Sequence, residues 1–117
     1  MALFGKKKQQ NEYLTAQNQM NQTPVTKASE RIHFDEVTAD DEKTLLLINK
    51  MVNHSPLVLN FEKVDVPTAN KVLAFIAGAV YALHGKTVKI DEKIYLFALS
   101  EEFLDGSLDA FIREVTN

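Results

Sequence analysis

The chain has 117 residues and a formal net charge of −3, room for one domain and a tail. It contains no cysteine, which excludes a disulfide framework and thiolate chemistry and suits a reducing compartment. No stretch approaches the roughly 18 apolar residues of a membrane span, and Met1 to Lys8 is too short for a secretory signal.

Charge divides the chain. Residues 1–27 carry four lysines and one glutamate, a balance of +3, whereas the remainder carries 9 basic and 15 acidic residues, a balance of −6. Gln9 to Gln22 is Gln/Asn-rich and poor in branched apolar residues, so it cannot bury enough to offset its chain entropy. Residues 1–28 are therefore expected to be a flexible tail and 29–117 a folded domain. An acidic domain disfavours nucleic acid as a partner.

RIHFDEV (31–37) alternates, which predicts a half-buried strand with Ile32 and Phe34 facing in. TADDEKTLLLINKMVN (38–53) predicts an amphipathic helix capped by Thr38, with Leu45, Ile48 and Val52 on its inner face and Leu47 and Met51 beside it. LVLNF (57–61), after Ser55-Pro56, suits an interior strand. A second helix opens at Asp65 and Pro67 and closes at Gly85. TVKI (87–90) and KIYLFAL (93–99) predict two strands around a tight Asp91-Glu92 turn. Glu101 to Leu104 suits a last edge strand, and Ser107 to Val115 a short helix. The expected fold is a two-layer α/β sandwich, with two main helices on one mixed sheet of four to five strands, plus a short C-terminal helix.

The second helix poses a question. Val72, Phe75, Ile76, Ala79 and Leu83 form a broad stripe that should lie on the sheet. Outside it, Lys71, Ala74, Gly78 and Ala82 follow at helical steps, a row of small residues next to Tyr81. Mid-helix glycine costs about 1 kcal/mol relative to alanine. Either Gly78 accommodates a bulky side chain of the first helix, or the row meets another subunit. On the last long strand, Tyr95 and Phe97 point one way, which in a two-layer fold suggests an exposed apolar face and a binding surface. Cover from the C-terminal segment is the alternative. Whether Lys89 shares that face depends on the hairpin register, which the residues leave open.

No catalytic set emerges. The four glycines at 5, 78, 85 and 106 are isolated, no serine lies in a nucleophile elbow, and His33, His54 and His84 fall on separate elements without ligand spacing. His84 suits the end of the second helix, where its cationic form is favoured. Neither a metal nor a cofactor is expected.

FIAGAVYALHG (75–85) followed by TVKIDEKIYLFAL (87–99) resembles the core of the SepF family of bacterial cell-division proteins. Phe75, Gly78, Tyr81, Ala82 and Gly85 fit the family pattern F-x-x-G-x-x-[YF]-A-x-x-G. Lys89, Lys93, Ile94, Tyr95 and Leu96 fit K-x-x-x-K-[IV]-[FY]-L, and PLVLNFEKVD (56–65) fits the strand V-x-[VL]-N-[LF]. The resemblance covers about residues 30–110.

It implies a non-enzymatic adaptor that binds the C-terminal tail of the tubulin-like protein FtsZ, dimerises and assembles further. Such an adaptor would tether FtsZ to the inner face of the cytoplasmic membrane at the division site. By that resemblance Lys89 and Tyr95 match tail-binding positions and Gly78 the self-association glycine. With their neighbours, the expected tail site is Lys89, Lys93, Tyr95 and Phe97, and the expected self-association site is Ala74, Gly78, Tyr81 and Ala82. The start departs from the family's amphipathic helix and acidic linker. MALFGKKK would have to suffice, with Leu3 and Phe4 dipping into the interface while Lys6, Lys7 and Lys8 meet anionic headgroups, at about 1 kcal/mol per lysine. The rival expectation is a small dimeric ligand-sensing α/β domain.

Overall fold

The computed structural model describes residues 26–116. Nearly all of the expected tail, including Leu3, Phe4 and Lys6 to Lys8, therefore lies outside the described residues. A 3₁₀ turn at Ala28–Arg31 comes first, and Ala28 is buried. There follow β1 (His33–Glu36), α1 (Asp41–Val52), β2 (Leu57–Asn60), α2 (Val66–Ala82), β3 (Gly85–Asp91) and β4 (Ile94–Leu99). A second 3₁₀ turn (Ser100–Phe103) leads to α3 (Ser107–Thr116). The segment expected to be a last edge strand forms this turn instead, with Leu104 N–H reaching back to Glu101 C=O. The sheet has four strands in the order β1-β2-β4-β3; β1 and β2 are parallel and the other neighbours antiparallel.

Side chains on α1 and α2 turn one way and those on α3 the other. Leu57, Leu59 and Phe97 pack with Val37, Leu47, Met51, Val72, Ile76 and Val80. Val58, Leu96 and Ala98, the intervening strand residues, pack with Ala28, Leu108, Phe111 and Ile112. Period-two alternation thus sends one set beneath α1 and α2 and the other beneath α3. The chain forms the expected sandwich of two main helices on a mixed sheet with a short C-terminal helix, and that helix covers the far face.

Three sequence expectations change in phase. On α1 the buried residues are Thr44, Leu47 and Met51, while Leu45 and Val52 are exposed. On α2 they are Val72, Ile76 and Val80, with Leu73 beside them, while Phe75 and Leu83 face out. On β1, Phe34 is 61% exposed and meets Phe111 of α3 edge-to-face at 6.1 Å. Uniformly apolar runs leave a helix's rotation to be set by what it packs against.

The caps also move. Asp40, not Thr38, caps α1, accepting from Glu42 N–H at 2.9 Å. Asp65 caps α2 as expected, accepting from Thr68 N–H at 3.0 Å. Both helices end on a histidine in the left-handed region, His54 (φ 73°) and His84 (φ 59°). Gly85 is therefore not the end residue of α2 but the first residue of β3. A Cβ there would stand 2.5 Å from Ala98 O, so only glycine lets the two backbones approach this closely.

Candidate functional site

The hairpin register settles the position of Lys89. Thr87 pairs with Phe97 and Lys89 with Tyr95, and an irregularity between Lys89 and Asp91 places Asp91 opposite Ile94. Without that extra residue, the two-residue turn would have sent Lys89 to the other face. The bulge keeps Lys89 on the side of Tyr95.

The Tyr95 face is not the open surface expected from the alternation. It lies under α2: Phe97 is fully buried and Tyr95 half-buried. The C-terminal segment covers the Leu96 and Ala98 face instead. Tyr95 meets Phe61 edge-on at 5.5 Å and stacks on Phe97 at 6.2 Å. Its remaining surface opens into a pocket of about 130 Å³ between the start of α2 and the β3–β4 turn. Phe61, Val64, Val66, Ala69 and Leu73 give this pocket an apolar lining, and Asn70, Glu92 and Lys93 stand around it. Lys89 lies within 3.9 Å of Glu92. The fold thus brings Lys93 and Tyr95 together at this mouth, sets Lys89 beside it as the cross-strand partner of Tyr95, and withdraws Phe97 beneath them.

Spacing alone did not point to Val66 and Leu73, because their contribution depends on α2 crossing above the hairpin. The capping Asp65 fixes where α2 starts. Bonds from Thr68, its side chain before its backbone N–H, hold the Asp65 carboxyl below the usual range.

The small-residue row lies elsewhere. Ala74, Gly78, Tyr81 and Ala82 share the outer side of α2, all exposed, with Tyr81 at 86%. A Cβ at Gly78 would meet nothing within 4 Å. No side chain of α1 therefore needs the space that this glycine leaves. Phe75 on α2, and Leu45 and Leu46 on α1, add further exposed apolar surface to this helical layer.

A family profile described as "Cell division protein SepF" matches residues 40–101, just over half of the chain and including the hairpin, the pocket and all of α2. The chain belongs to the SepF family. It is 34% identical over 67 residues to "Cell division protein SepF" of Oenococcus oeni, covering 57% of this chain and 36% of that one. Over 78 residues it is 32% identical to the protein of the same name from Carboxydothermus hydrogenoformans, covering 67% and 52% respectively. Over 90 residues it is 26% identical to that of Lacticaseibacillus casei, covering 77% and 58%. The matches span 36–58% of the length of these SepF relatives. Among the described residues no helix is long and apolar enough to cross a membrane.

Proposed function

We propose that this SepF-family chain is a non-enzymatic division adaptor. In this reading it binds the C-terminal tail of FtsZ at the mouth formed by Lys89, Lys93 and Tyr95. It self-associates through Ala74, Gly78, Tyr81 and Ala82, and it acts at the inner membrane face of the division site. The observation that carries the reading is the half-buried Tyr95 at a largely apolar pocket that Lys93 lines, with the exposed Lys89 as its cross-strand partner. Such a mouth suits a peptide that presents one apolar anchor and acidic flanks: the anchor enters the pocket, while the lysines steer the charge. Phe97 would support the Tyr95 ring from below without touching the peptide.

At the Tyr95 mouth, the pocket volume favours a peptide anchor over a metabolite. Small-molecule sites typically enclose about 300–1,000 Å³, well above the 130 Å³ found here. Membrane contact by Leu3, Phe4 and Lys6 to Lys8 would be weak in one copy, so self-association would supply the avidity.

The test is fluorescence anisotropy of a labelled FtsZ C-terminal tail peptide titrated with the full chain. Saturable binding that competes with unlabelled peptide supports the adaptor. A folded, self-associated chain that leaves the anisotropy flat overturns it.

A further inference from the structure

On the far side of the molecule, three segments distant in sequence converge on one buried carboxylate. Glu102, in the turn after β4, is 4% exposed. Its Oε1 lies 2.5 Å from Arg31 Nη2, and its Oε2 lies 2.7 Å from His54 Nδ1. Glu101 Oε2 stands 3.4 Å from the same Nδ1. Arg31 also donates from Nε to the His54 carbonyl at 3.0 Å, which fixes the loop that carries the histidine. One imidazole nitrogen and two carboxylate oxygens therefore lie within 4.8 Å of one another.

We propose that His54, Glu101 and Glu102 form a divalent transition-metal site, with Zn²⁺ as its natural probe. Two carboxylates and one guanidinium leave a net negative charge. A proton on Nδ1 bridges to Glu102, and a divalent cation would displace that proton and share Nδ1 with the two carboxylates. Ligands about 2.0–2.2 Å from zinc stand roughly 3–3.6 Å apart; the 3.4 Å to Glu101 already fits, and the 2.7 Å hydrogen bond to Glu102 would open slightly as metal replaces the proton. Arg31 engages the other oxygen of Glu102 and orients it as an outer-sphere partner. The imidazole with two carboxylates suits zinc better than magnesium, and the exposed side leaves room for water. A bound ion would clamp the end of α1 to the turn that leads into α3. The histidine spacing gave no sign of this site, because its other ligands lie 47 and 48 residues away.

Isothermal titration of the full chain with ZnCl₂, beside MgCl₂ as a control, tests the site. One equivalent of zinc should bind at micromolar concentration and raise the melting temperature. Glu101→Gln should weaken binding at least about tenfold without changing the circular dichroism, since the Glu101 side chain is exposed and its one ion-pair partner among the described residues is His54. His54→Asn, which tolerates the left-handed backbone, should do the same. Absence of saturable one-to-one binding, a magnesium response equal to that of zinc, or unchanged affinity in Glu101→Gln overturns the proposal.

Discussion

Lys89 and Tyr95 are cross-strand partners on the same face of the sheet, aligned by the irregularity between Lys89 and Asp91. Tyr95→Ala would remove the half-buried ring and leave the pocket without its floor. Binding of the FtsZ tail peptide should weaken by more than about 1 kcal/mol, roughly fivefold or more in Kd. Lys89→Glu should act differently, slowing association and flattening its salt dependence. Anisotropy titrations at two ionic strengths separate the two effects. Wild-type affinity in Tyr95→Ala would show that the ring is not the anchor.

Gly78 offers a test in which stability and assembly move in opposite directions. Its missing Cβ would touch nothing in its own chain. Gly78→Ala should therefore stabilise the monomer by up to about 1 kcal/mol, the usual helix-propensity gain. Gly78→Lys should abolish self-association while leaving the fold intact. Analytical ultracentrifugation beside urea denaturation reads both. A sedimentation profile unchanged by the lysine would remove α2 from the interface.

Gly85 is constrained from the opposite direction. A Cβ at this position would collide with backbone, at Ala98 O, which cannot swing aside as a side-chain tip can. Gly85→Ala should destabilise the domain by about 1–3 kcal/mol, the usual cost of forced overpacking. Thermal melts of Gly85→Ala and Gly78→Ala compare two chemically identical changes whose expected signs differ.

The contrast between these glycines shows what the sequence made legible. Strand and helix order followed from punctuation: Asp65 and Pro67 at one helix start, Ser55-Pro56 before β2, and the turn expected at Asp91-Glu92, which falls one residue later at Glu92-Lys93. The rotation of each helix did not follow. Leu45, Leu46, Leu47 and Ile48 are consecutive and apolar, so several faces fit equally well, and packing against β2 and β4 chose the one with Leu47. The open Tyr95 face expected of a two-layer fold does not exist, because helices cover both sides of the sheet. With Ala28 and Ile32 beside them, Leu108, Phe111 and Ile112 suffice to cover Leu96 and Ala98. The family pattern brought Lys89 and Tyr95 forward, whereas the pocket wall formed by Val66 and Leu73 needed the fold.

Asp105 links the two ends of the described chain and carries a pH dependence. Its carboxylate accepts from Ala28 N–H at 3.0 Å, Ser107 N–H at 2.8 Å and the Ser107 hydroxyl at 2.7 Å. These bonds, the one from Ala28 foremost, pull its pKa down to about 2. An unfolded aspartate titrates near about 3.9. Because the folded value is the lower one, the ionised group's contribution is complete above about pH 4 and is lost as pH falls towards 2. Asp105→Asn removes the charged acceptor of all three bonds, so it should lower stability at pH 7. It should also shrink the loss of stability that the wild type shows between about pH 4 and pH 2. Urea denaturation of both proteins across that range provides the measurement. Parallel curves would mean that the acid sensitivity lies in other carboxylates, with Asp35 the next to examine. Burial raises the Asp35 pKa, but bonds from Glu36 N–H, Lys43 and His33 outweigh it and leave the value low.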